Sequence, residues 1–343
     1  MSVSHAFLHA LPKAELHVHL DGSLRPTTML ELAESAGVSM PASRPRELAE
    51  WMRADDTPDL ESYLARFATT LSVMQTAESL ERITRELVED HAAENVEWLE
   101  IRYSPILNME GGLTMEEAVE APLRGFQAAS EATGVKGGLI LCGIRNMDPA
   151  TSLEIARTAV RYRDQGVLAF DLAGAEAGNP PNRHQSAFDE AVAGNLPVTI
   201  HAGEAWGPES IHQALHQCRA RRIGHGARLL EDPELLRWVR DQRVPLEICL
   251  TSNVQTGAAA TAAEHPVRSY FDQGILLTLC TDNRLVSGVD LVHEYASAAR
   301  DLGFGRDELV QVARMGFEAG FAPWPLKQEL LAGFDARVDQ LPD

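Results

Sequence analysis

The chain has 343 residues, 45% hydrophobic and 23% charged, enough length and apolar content for a large core, which excludes a disordered chain or a small disulfide scaffold. Thirty basic side chains against 50 acidic ones leave a formal net charge of -20, a surface that repels phosphate backbones and anionic lipid. No apolar run approaches the roughly 20 residues of a membrane-spanning helix, so neither nucleic acid nor membrane is expected as a partner.

The opening segment, Met1 to Leu20, has no basic stretch ahead of an apolar one and no small-residue cleavage site, so the expected location is cytoplasmic. Cys142, Cys218, Cys249 and Cys280 form no CxxC pair, which suits buried thiols in a reducing compartment.

Short apolar runs bounded by Gly, Pro or Asn recur along the chain with helix-periodic stretches between them, the pattern of parallel βαβ units. The predicted strands are Glu15 to Leu20, Val96 to Tyr103, Gly138 to Ile144, Gly166 to Leu172, Pro197 to His201, Arg222 to His225, Pro245 to Leu250 and Ile275 to Thr281. Eight parallel strands in this length predict one closed (β/α)8 TIM barrel spanning residues 1–343 as a single domain. The long gap after the first strand predicts a helical insertion, about residues 27–93, over one end of the barrel. Within it Leu60, Leu64 and Phe67 have the spacing of a helix face, and one or two closing helices are expected beyond Glu318.

Along the same order, chemistry collects at strand ends. In His17-Val18-His19 the two imidazoles alternate with one residue on a strand, so both point to one face, as two ligands of one metal must. His201-Ala-Gly-Glu204 ends the fifth predicted strand, Ile223-Gly-His225 the sixth, and Cys280-Thr-Asp282-Asn283 the eighth. In a barrel these ends share one mouth. Imidazole and carboxylate donors without thiolate favour zinc among first-row metals, and three His with one Asp leave a position for a water whose pKa falls towards ~7. Taken singly, a strand-end histidine is more often a hydrogen-bonded structural residue, and an Asp before Asn is commonly a turn. The coincidence decides for a site: four of the twelve histidines fall at strand ends together with Glu204 and Asp282. His212 and His216 imitate zincin spacing, but Gln213 stands where that motif needs a glutamate, so they read as a solvated helix face. The other histidines are assigned no role.

Together, Pro12-Lys-Ala-Glu-Leu-His-Val-His-Leu-Asp-Gly22, Phe170-Asp-Leu-Ala-Gly174, His201-Ala-Gly-Glu204, Ile223-Gly-His-Gly226, Thr251-Ser-Asn253 and Thr281-Asp282 resemble the adenosine deaminase family of metal-dependent hydrolases. The resemblance implies one zinc ion at the barrel mouth, held by His17, His19, His201 and Asp282, and hydrolytic loss of the exocyclic amine of a purine nucleoside. It further implies Glu204 as the acid for the purine N1, His225 as the residue that orients hydroxide, and Asp282 as acceptor of the water proton. His19, Asp21 at the ribose hydroxyl, Gly174 at N3 and Asn283 at N7 would contact substrate. Attack at C6 disrupts purine conjugation, so a protonated ring nitrogen is chemically needed.

Two positions depart from the family pattern. Asn283 stands where better-known members carry a second aspartate, and its amide still donates a hydrogen bond. Leu250 stands where relatives often have proline. Adenosine is the expected substrate, with adenine or aminodeoxyfutalosine as alternatives. A two-metal hydrolase would carry a bridging lysine at the fourth strand end, where this chain has Asp171-Leu-Ala-Gly174. The sequence does not reveal the oligomeric state.

Overall fold

The computed structural model describes residues 3–55, 57 and 59–342. Its strands are β1 (Lys13–His19), β2 (Val96–Tyr103), β3 (Lys136–Ile144), β4 (Val167–Ala173), β5 (Thr199–Ala202), β6 (Arg222–His225), β7 (Leu246–Ile248) and β8 (Leu277–Leu279). Pairing is parallel throughout, in two runs of neighbours, β1-β2-β3-β4 and β5-β6-β7-β8. Single bridges join the runs, Phe170 to Val198 on one side and Val18 to Asp282 on the other. The ring is therefore closed, and the fold is the (β/α)8 barrel that the strand count predicts.

The second seam falls at the mouth. Asp282 N donates to His17 O at 2.8 Å and His19 N donates to Asp282 O at 2.7 Å, so the main chain that completes the barrel carries three of the candidate ligands. The β7 and β8 ladders are shorter than the apolar runs predict. Leu250 already opens the helix Leu250–Gln255, and at Asp282, φ 59°, the backbone turns into the left-handed region. His225, φ 64°, does the same at the end of β6. Each such turn costs of order 1 kcal/mol or more in a residue other than glycine, and strain of this kind gathers at functional sites.

Between β1 and β2 run the helices Pro26–Ala36, Pro45–Met52, Leu60–Leu64, Phe67–Leu71 and Ala77–Ala93. The last starts from a capping box in which Thr76 and Ser79 satisfy each other's backbone N–H. The run from Leu60 to Phe67 is not one helix. Asp59 caps a single turn through Ser62 N, and the chain breaks before Phe67. Tyr63 pins this broken segment over the mouth by a 2.8 Å bond between its hydroxyl and Ser287 Oγ. At the C-terminal side, Arg306–Ala319 packs on β1 and β8, and Trp324–Val338 follows as the closing helix beyond Glu318. Among the described residues no helix is long and apolar enough to cross a membrane.

Candidate active site

His17, His19, His201 and Asp282 offer donor atoms that all lie within 4.8 Å of one another. His19 Nε2 stands 3.1 Å from His201 Nε2, and Asp282 Oδ1 stands 3.4 Å from both His17 Nε2 and His19 Nε2. Donors about 2.0–2.2 Å from a common tetrahedral centre would sit about 3.3 Å apart, so the spacing fits one ion. His17 Nε2 is buried and makes no hydrogen bond, with Asp282 Oδ1 its near neighbour at 3.4 Å, an orphaned atom of the kind a metal ion would satisfy. Burial pushes His19 and His201 down, which keeps them in the neutral form that ligates. At His17, burial and Arg102 oppose the proton, but Asp282 and Glu247 hold it and the net shift is upward.

The ligand rings are themselves tied down. His17 Nδ1 meets Glu247 Oε2 at 2.8 Å, and His201 Nδ1 meets Asp171 Oδ2 at 3.0 Å. One guanidinium joins those carboxylates: Arg102 donates from Nη2 to Glu247 at 2.7 Å and from Nη1 to Asp171 at 2.9 Å. Arg222 continues the chain, bonding Glu247 Oε1 and Glu100 Oε2 at 2.6 Å each. Against the cost of burial, Arg102 and Arg222 hold Glu247 far below the usual carboxylate range, and His201 and Arg102 do so for Asp171. Such carboxylate–histidine pairs fix ring orientation and tautomer at metal sites.

Glu204 and His225 face each other beside this cluster, with Glu204 Oε2 3.6 Å from His225 Nε2. Burial first, then the charges of Asp282 and Glu176, push the Glu204 carboxyl up to about 8, so at neutral pH it holds a proton it can give away. A chain of hydrogen bonds sets the His225 tautomer. Val267 N donates to His265 Nδ1 at 3.1 Å, His265 Nε2 then donates to Asn253 Oδ1 at 3.1 Å, and Asn253 Nδ2 donates to His225 Nδ1 at 3.0 Å. His225 therefore carries its hydrogen on Nε2.

A cavity of about 270 Å³ opens over the cluster, lined by His19, Asp21, Gly174, His201, Glu204, His225, Asp282 and Asn283. All the candidate residues from the sequence thus meet at one place, with His17 just beneath. Leu60, Tyr63, Leu64 and Phe67 from the β1–β2 insertion form its apolar wall, although helical spacing alone marks them as ordinary core. Asp21 is buried with its Oδ1 4.0 Å from His19 Nδ1, and neither that atom nor Asn283 Oδ1 makes a hydrogen bond. Asn283 packs on Gly22, where any Cβ would overlap its amide, and Gly174 has φ 94°. The sequence reading gave no role to Arg102, Asp171, Glu247, Glu176, Asn253 or His265, although Asp171 and Asn253 stand in motifs that carry the resemblance. For the first three a signal existed: charged residues in the middle of otherwise apolar strands, where a charge stays only if paired. His212 and His216 lie exposed on their helix, as expected.

The adenosine deaminase family model matches residues 12–337. An adenosine deaminase of Mycolicibacterium gilvum (strain PYR-GCK) is 44% identical over 92% of this chain and 91% of its own length. Among solved structures, the adenine deaminase from Arthrobacter aurescens superposes with TM-score 0.90 at 28% identity, covering 96% of this chain and 99% of that one. The N6-methyl-AMP deaminase from Arabidopsis thaliana gives TM-score 0.84 at 31% identity, covering 97% and 98%. With the barrel, the four clustered donors and a family match over nearly the whole length, the chain belongs to the adenosine deaminase family.

Proposed function

We propose that this chain is a zinc-dependent hydrolase that converts adenosine and water to inosine and ammonia. The observation that carries the reading is the buried Glu204 carboxyl, its pKa pushed up by burial, beside four converging candidate metal donors. The 44% identity to a curated adenosine deaminase supports it.

One zinc ion held by His17, His19, His201 and Asp282 supplies, when bound, a water acidic enough to act as nucleophile near neutral pH. The protein's own groups do the rest. Glu204 delivers its proton to the purine N1, which lets C6 accept the attacking oxygen without leaving charge on the ring. His225 donates from Nε2 to that oxygen. Asp282 accepts the proton that water gives up and passes it to the exocyclic N6, so that the C6–N6 bond breaks and ammonia leaves while the proton of the C6 hydroxyl restores Glu204. Asp21 accepts from a ribose hydroxyl, the Gly174 N–H approaches N3, and Asn283 donates from its amide to N7. Leu60, Tyr63, Leu64 and Phe67 exclude bulk water from the cavity.

The lining bears on the substrate. Among the described residues around the cavity there is no lysine or arginine to meet a phosphate, and free adenine would leave Asp21 unmatched. Ammonia release measured on adenosine, adenine, AMP and aminodeoxyfutalosine is expected to give the highest kcat/KM for adenosine. A higher value for any of the other three would overturn the substrate assignment. For the ion, His17→Ala is expected to bring the zinc content of purified protein well below one per chain. Normal zinc in that variant would mean a different ligand set.

A further inference from the structure

Glu176 follows β4, two residues beyond Gly174, and is only 2% exposed. Its carboxylate gathers four consecutive backbone N–H groups from the loop after β5. Oε1 accepts from Gly203 at 2.8 Å, and Oε2 accepts from Glu204 at 2.9 Å, Ala205 at 2.7 Å and Trp206 at 3.0 Å. Successive N–H groups converging in this way form an anion nest, here filled by a side chain of the same molecule. The turn that aims them depends on Gly203, whose φ is 72°. An ionised carboxylate is the side chain suited to the place, because it accepts at both oxygens and brings no hydrogen of its own. The N–H of Glu204 is among the four, so the main chain of the candidate acid is bonded directly to Glu176. At the other end of the residue, Glu204 Oε1 receives Thr256 Oγ1 at 3.0 Å.

We infer that Glu176 is the positioning residue for the Glu204 acid: it holds the β5 loop in the one conformation that points the Glu204 carboxyl at the substrate ring. The inference rests on the reading of Glu204 as the proton donor. Glu176 also acts at a distance on the same group. Burial and Asp282 are the larger causes of the high Glu204 pKa, and the Glu176 charge is the third. The other groups around Glu204 are His225 from β6, at 3.6 Å, the uncharged Thr256 hydroxyl, the buried Arg145, whose charge interacts with it, and His17 from β1, whose charge pulls the other way. Arg145 and Arg228 are the cations that feel the Glu176 charge.

The test uses the full chain loaded with zinc, with adenosine as substrate. Glu176→Gln keeps the size of the side chain but sets an NH2 against one side of the nest and removes the charge. It is expected to lower kcat about tenfold to a hundredfold, with a smaller change in KM, and to move the alkaline limb of the pH profile to lower pH. In a Glu204→Gln background the same substitution is expected to change the residual rate by less than about twofold, since the group it positions is gone. Equal losses in both backgrounds, or an alkaline limb that does not move, would overturn the proposal. Should Glu176→Gln fold poorly, Glu176→Asp retains the charge with a shorter reach. It is expected to leave the limb near its parent position and to recover part of kcat, and a shifted limb would count against the role. Full turnover by Glu204→Gln alone would instead bring down the underlying reading of Glu204, a separate result.

Discussion

Glu204→Gln is expected to lower kcat on adenosine by about 10²–10⁴-fold, the usual worth of a general acid, while zinc content stays at the parent level. Glutamine matches glutamate in size and can still accept from Thr256, so the cavity keeps its shape, but an amide has no proton to give N1. The pH dependence follows from the same group. The Glu204 carboxyl, ordinarily at 4.5, is raised to about 8, so its acid form dominates below that value and activity falls as pH rises through it. Stability carries the matching sign. Between 4.5 and about 8 the folded state binds a proton that the unfolded state has released, so this group's contribution to stability declines with rising pH. The variant lacks that titration and is expected to gain on the parent in unfolding free energy across the same window. Parent-level turnover, or a parent without an alkaline limb, removes Glu204 as the acid.

The largest expected loss of stability comes from Arg102→Met. Its guanidinium lies between two fully buried carboxylates and also donates to Leu16 O at 2.6 Å. Methionine fills much of the space but leaves Asp171 with no guanidinium and Glu247 with one, Arg222, beside His17 and Thr199. Removing one partner of a buried ion pair costs about 3–5 kcal/mol, because the other charge stays behind without compensation. Urea unfolding is expected to show a loss of that size, and zinc affinity to fall about 10–100-fold as the His17 and His201 rings lose their supports. Arg102→Lys restores charge but not the fork that reaches both carboxylates, and should recover only part of either quantity. Unchanged unfolding and unchanged zinc affinity in Arg102→Met would show the network to be dispensable.

Whatever obeys a short period was legible in the sequence. Strand alternation placed His17 and His19 on one face, and apolar runs located the eight strands, with β2 and β6 found to the residue. Strand ends then assembled Glu204, His225, Asp282 and Asn283 at one mouth, because a barrel leaves them nowhere else to meet. What supports those residues was not legible. Arg102 finds Asp171 on β4 and Glu247 on β7, and Glu176 finds the amides of residues 203–206, partnerships between distant strands that no local pattern encodes. The break inside the insertion was not legible for another reason. Leu60, Leu64 and Phe67 keep helical spacing across a break in the helix, and it takes the Tyr63–Ser287 bond and the cavity lining to show that the segment lies over the site.

The seam at Val18 and Asp282 has a consequence for synthesis. Two of the four candidate donors, His17 and His19, leave the ribosome well before the fourth, Asp282. A nascent chain that stops short of residue 282 has neither a closed ring nor a full set of donors. The closing of the ring and the completion of the donor set thus wait on the same residue.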